Sequence, residues 1–169
     1  MGVHGADAMR IVPEAMQLVF PRVSLAPRPH RDMPQSCLEY FEEARKVFAD
    51  SPRASSALLR LCIEELCRSV DTKGHTLNEM IGHLVERGLE PHVQHALDIV
   101  RVTGDKSVHA GTINPADDPA VALSLFDLVN EVVAETISKP KRIAALYEKL
   151  PPGAQAQIAR RDRSDAKES

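Results

Sequence analysis

Pro52-Arg-Ala-Ser-Ser-Ala-Leu-Leu-Arg-Leu-Cys-Ile-Glu-Glu-Leu-Cys-Arg-Ser-Val70 is the stretch that decides the fold. Ser51 is placed to cap a helix and Pro52 suits its first turn, where a missing N–H costs nothing. Leu58, Leu59, Leu61, Cys62, Ile63, Leu66, Cys67 and Val70 then cover a broad arc of the helix. A helix apolar over so much of its circumference belongs at the centre of a bundle, with neighbours on most sides. Arg60, Glu64 and Arg68 follow at four-residue spacing, one turn apart. They read either as a solvated ion-pair row or, for Arg60, as the lining of a polar groove.

Helical periods flank this element on both sides. Upstream, from Pro34, Leu38, Phe41, Ala44, Val47 and Phe48 fall on one stripe, and Asp50-Ser51-Pro52 ends it. Downstream, Asp71-Thr-Lys-Gly74 is a turn and Thr76-Leu-Asn-Glu79 has the capping-box pattern. A short helix with Leu77, Met80, Ile81, Leu84 and Val85 follows and closes at Gly88. A fourth starts near Glu90-Pro91, carries Val93, Ala96, Leu97 and Val100, and stops by Gly111. After a loop marked by Asn114-Pro115 and Asp118-Pro119, a fifth runs from about Asp117 to Ser138. Lys139-Pro140 is expected to break it, leaving a short amphipathic helix over 141–150. The fold class is all-α, an antiparallel bundle of about five helices with short connections.

Three zones follow. Residues 1–33 carry Pro13, Pro21, Pro27 and Pro29 and read as an extended arm laid over the body. Residues 34–150 are the helical domain, and 151–169 are polar and highly charged, a frayed or disordered tail.

Composition narrows the function. The 169 residues are 43% hydrophobic but only 4% aromatic, with no Trp, so the core is built from aliphatic side chains. A net charge of -3 gives no overall attraction for nucleic acid or an anionic membrane, so any such contact is local. No apolar run reaches membrane-spanning length, and the chain reads as non-membrane and cytoplasmic. Cys37, Cys62 and Cys67 form no CxxC pair and read as reduced core residues. No glycine-rich phosphate loop or nucleophile elbow is present, and no cofactor is expected. His92 and His95, with His75 and His83 upstream, lack the carboxylate or thiolate partners that would specify a metal.

The chemically interesting segment is Ile99-Val-Arg-Val-Thr-Gly-Asp-Lys-Ser-Val-His-Ala-Gly111. If the helix continues through Gly104, then Arg101, Asp105 and His109 project from one face, one turn apart. Asp105 is then placed to hold His109 in its charged form, and Arg101 to bind a phosphate. Arginine beside histidine is minimal equipment for metal-free RNA cleavage. Arg60 and Lys106 are the accompanying substrate-binding candidates. The plainer alternative is that Asp105 and His109 tie the helix end to the following loop.

Several of these segments together resemble the bacterial domain-of-unknown-function 4145 family, a branch of the HEPN-like helical domains. They are Val19-Phe-Pro21, Tyr40-Phe-Glu-Glu-Ala-Arg45, Ala57-Leu-Leu-Arg-Leu-Cys-Ile-Glu64, Thr76-Leu77 and the run from Leu97 to His109, the resemblance covering about Gln17 to Ser138. The resemblance implies an antiparallel helical bundle that forms a homodimer. It also implies an Arg–polar–three residues–His motif, used by many such domains as metal-independent ribonucleases in defence and toxin systems. His109 matches the motif histidine and Asp105 its polar residue, while Gly104 stands where the arginine belongs, with Arg101 three residues earlier.

Two functions stay open on this reading. One is a non-catalytic, defence-associated dimerisation module that holds RNA, a nucleotide or a partner protein. The other is an endoribonuclease with His109 as acid/base and Arg101 as phosphate clamp. The missing motif arginine and the acidic net charge favour the first.

Overall fold

The computed structural model describes residues 24–70, 73–107 and 117–165. Seven α-helices follow one another: α1 Gln35–Val47, α2 Pro52–Val70, α3 Leu77–Glu86, α4 Pro91–Ser107, α5 Pro119–Val133, α6 Lys139–Tyr147 and α7 Pro152–Asp165. A π-helical turn, Ala134–Ser138, joins α5 to α6. Among the described residues there is no strand. The fold is an all-α bundle, as the apolar periods require.

α2 is its centre and packs against α1, α3, α4 and α5. Leu59, Cys62, Ile63, Leu66 and Cys67 are all buried. Ser55 and Ser56 are also buried, small enough to let neighbouring helices come close, and Ser56 donates to the Pro52 carbonyl. α1 returns to α2 within four residues, Phe48 to Ser51, so the two run antiparallel. Phe41 of α1 meets Phe126 of α5 edge to face at 5.1 Å, and Phe48 meets the same ring at 6.0 Å. Three of the four phenylalanines thus form one cluster, in the geometry the ring quadrupole prefers. Cys37, Cys62 and Cys67 are buried thiols in no disulfide, and the Cys62 thiol donates to the Cys37 carbonyl. The hydrogen bond with Cys37, and then burial, push the Cys62 thiol far above its ordinary range, so it is no nucleophile.

The helix ends obey local chemistry. The Ser51 hydroxyl accepts from Ala54 N–H at the start of α2, and Asp118 accepts from Ala120 N–H at the start of α5. Thr76 and Glu79 close both halves of a capping box around α3. At the other end Gly88 takes φ +88°, Leu89 N–H donates to Leu84 and Gly88 N–H to Val85, the paired bonds of a Schellman cap.

Two expectations are corrected. The helix does not stop at Lys139-Pro140. The π turn widens the backbone there, Lys139 N–H donating back five residues to Ala134, and Pro140 then begins α6 as a first-turn residue. The proline's missing N–H and its bulk are absorbed by the wider turn. The segment 151–169 is not a frayed tail throughout, since 152–165 form α7. Gln155 donates its side-chain amide to the carbonyls of Tyr147, Glu148 and Leu150, tying α7 to the end of α6.

Residues 24–33 lie along the bundle. Ala26 and Met33 are buried. Ser24 donates to the Arg45 carbonyl of α1. Asn130 of α5 mimics a backbone, accepting from His30 N–H at 2.8 Å and donating to the Arg28 carbonyl at 2.9 Å. Asp32 accepts from Ser138 and pairs with Lys141. The Ser138 hydrogen bond, with that of Lys141, holds the Asp32 carboxyl below its ordinary pKa of 3.8. Val19-Phe-Pro21 lies outside the described residues.

Two outcomes follow. Thr76→Ala removes the α3 cap and is expected to cost about 1 kcal/mol in urea unfolding. Because Asp32 is more acidic folded than unfolded, its contribution is present above the ordinary carboxylate pKa and lost as pH falls through the lowered value. The fall in Tm between pH 7 and pH 3 is therefore expected to be smaller in Asp32→Asn than in the wild type.

Candidate functional site

α4 runs unbroken through Gly104 to Ser107, which places Arg101 and Asp105 one turn apart on the same face. Their surroundings are set by Gly104. It is buried, and a Cβ added there would stand 2.4 Å from the Arg60 Cβ of α2. The hydrogen of glycine is thus what allows α4 to press against α2 at this level. The contact brings the Arg60 guanidinium onto Asp105, Nε to Oδ1 at 2.5 Å.

A continuous ionic ladder spans the two helices. Arg60 also donates to Glu64 at 3.0 Å, and Glu64 accepts from Arg68. On α4, Arg101 donates to Asp98 at 3.0 and 3.2 Å and lies 4.0 Å from Asp105. Glu65 adds a contact to Arg68 at 3.5 Å. Three arginines therefore face four carboxylates, and the ladder is slightly acidic. The side chains of Arg60 and Arg101 are about a quarter exposed and that of Asp105 44% exposed, so each pair contributes on the order of 0–1 kcal/mol.

The structure thus brings Arg60, Asp105 and Arg101 together. Lys106, one residue past Asp105, is exposed and points to a different side of α4. His109 lies outside the described residues. The reading of Arg60, Glu64 and Arg68 as a solvated row is incomplete, because the row is half-buried at Arg60 and Glu64 and continues onto Asp105. Among the described residues Asp105 is bonded by Arg60, from another helix, and Arg101 bonds Asp98. Asp98 escaped notice because an acid three residues before an arginine is common on any solvated helix. The signal for the Arg60 contact was the glycine itself, an isolated Gly inside a helical period that marks close packing.

Other chemistry finds no support in the geometry. Among the described residues no three of His, Cys, Asp and Glu come together as a metal site. No described helix is long and apolar enough to cross a membrane.

A family model for a domain of unknown function, DUF4145, matches residues 42–149. The chain belongs to that family. The match takes in the ladder and α6 and ends before α7. No curated protein and no solved structure matches the chain.

Gly104→Ala is expected to lower stability by about 1–3 kcal/mol, since the new methyl overpacks a helix contact. At roughly 2–4 °C per kcal/mol for a chain of this size, the shift is readily read as Tm. Arg60→Ala in the same chain leaves the 2.4 Å Cβ contact in place and restores little. Gly82→Ala on α3 meets nothing within 4 Å and is expected to gain about 0.5–1 kcal/mol from helix propensity.

Proposed function

We propose that this protein is a non-catalytic HEPN-like module that dimerises and binds a partner in a bacterial defence system. The observation that carries the reading is the occupancy of its arginines. Arg60 and Arg101 are each engaged by a carboxylate, and the position of the motif cation is taken by Gly104, which packs directly on α2. A phosphate seeking either guanidinium has to displace Asp105, Glu64 or Asp98 and meets their charge. A ladder of alternating charge instead suits polar side chains of a partner protein, with direction given by its slight acidity. Nucleotide or RNA binding on this face is the weaker form of the same reading, with Lys106 on the adjoining side of α4.

The second reading is a metal-independent ribonuclease with His109 as acid/base, Asp105 orienting it and an arginine as phosphate clamp. It is favoured by the convergence of Arg60, Arg101 and Asp105 within one turn of α4. The two separate in one assay. Wild type and His109→Ala are incubated with mixed-sequence RNA in chelator, and products are resolved on a denaturing gel. The proposal expects no cleavage from either. Cleavage by the wild type that His109→Ala abolishes would establish the enzyme instead.

A further inference from the structure

The second amphipathic surface of the molecule lies on α6. None of its residues is buried, and its main packing partner is the π turn before it. Yet Ile143, Leu146 and Tyr147 recur at three- and four-residue spacing, with Ile143 56% and Leu146 59% exposed, and Leu150 follows in the turn just past the helix. α6 is held by its continuity with α5 through the π turn and by the Gln155 contacts, and its apolar stripe is left facing water. The stripe is also too regular for scattered surface residues.

Its two flanks differ in charge. On one side a groove of about 610 Å³ runs along α6, with Pro140, Ala144 and Tyr147 in it and Glu90 and Glu148 at its edge. On the other side is a depression lined by His30, Arg31, Ser138 and Arg142. Glu135 and Lys139 border both and pair with each other at 2.7 Å, and on the basic side Asp32 accepts from Ser138 and is shared by Lys141 at 3.3 Å and Arg31 at 3.7 Å, so two cations there meet one carboxylate and Arg142 adds a third. The free balance is therefore acidic on one flank and basic on the other.

We infer that α6 is covered by α6 of a second copy of this chain, the two helices running parallel about a two-fold axis along the stripe. Symmetry makes the choice. A two-fold axis parallel to the helices sets the basic flank of each copy against the acidic flank of the other. An axis perpendicular to them sets like charge on like. Apolar side chains fill the centre and opposite charges form the rim, the arrangement of a self-complementary interface. The inference rests on the dimerisation in the proposed function and adds the face and the direction.

Sedimentation equilibrium and cysteine cross-linking test it on the full chain. The wild type is expected at twice the mass of one chain, and Ile143→Glu with Leu146→Glu at the single mass with an unchanged helical circular-dichroism spectrum. Ile143→Cys and, separately, Leu146→Cys are each expected to form a disulfide-linked dimer on mild oxidation, because parallel helices bring every stripe residue of α6 against its own copy. The three native cysteines are buried and do not compete. A wild-type monomer, its stripe covered by residues 1–23 or by a different protein, overturns both the inference and the dimerisation it rests on. A dimer that survives the double Glu variant overturns the inference alone. A dimer that the Glu variant dissociates, but in which only one of the two cysteines links to itself, overturns the parallel arrangement.

Discussion

α2 has to be covered on nearly every side, and most of the molecule is a response to that requirement. Its buried residues face four other helices. With few aromatic rings available, the core is closed by aliphatic side chains and one phenylalanine cluster, so contacts are short and helices sit close. Close approach in turn dictates which residues are small. Ser55 and Ser56 are small on α2 itself, and Gly104 is absent of side chain on α4 where it crosses Arg60. The ladder from Arg68 to Asp98 is a product of that crossing. Without the glycine the two helices stand further apart at this level, and Arg60 does not sit on Asp105.

Packing and chemistry therefore compete for one position. In the motif that the sequence resembles, the residue before the polar one is a cation free to meet phosphate. Here that place is used for helix contact, and the nearby cations are used for ion pairs. The individual pairs of the ladder are weak because they are partly solvated, so they set the register and direction of a contact more than they add stability.

The sequence made local structure legible and long-range pairing illegible. Caps at Ser51 and Thr76, the closure at Gly88 and the apolar period of α2 all depend on residues within a turn or two, and the structure has each of them. Arg60 and Asp105 are 45 residues apart, and Arg53 and Asp117, joined by two bonds of 2.7 and 2.6 Å, are 64 apart. Gly104 marks a close approach beside Asp105, but nothing in the local sequence says which residue of which helix approaches. α7 was illegible for a different reason. It lacks an apolar stripe, and its helix rests on good helix formers such as Ala154, Gln157 and Arg160 and on the Gln155 contacts to α6. Pro140 was read by its usual effect, and the π turn that accommodates it has no simple sequence signature. Of the candidate site, Arg101 and Asp105 were legible as neighbours from their four-residue spacing, and Arg60 joins them only through the helix crossing.

The π turn has a consequence for which way the following helix faces. In an unbroken α-helix the inward residues of α5, ending in Val129, Val132 and Val133, continue through positions 136 and 137 to 140, 143, 144 and 147. A π turn holds about one residue more than an α turn, and one residue is about 100° of rotation. Everything beyond Ser138 is therefore out of phase with α5 by that angle, and Ile143 and Tyr147 are carried from the core side to the outside. A single backbone defect, tolerated because of one proline, converts what would have been the last turns of a core helix into an outward-facing surface. Its position acts as a phase marker, and the length of 134–138 determines whether the apolar residues of α6 serve the inside of the protein or its exterior.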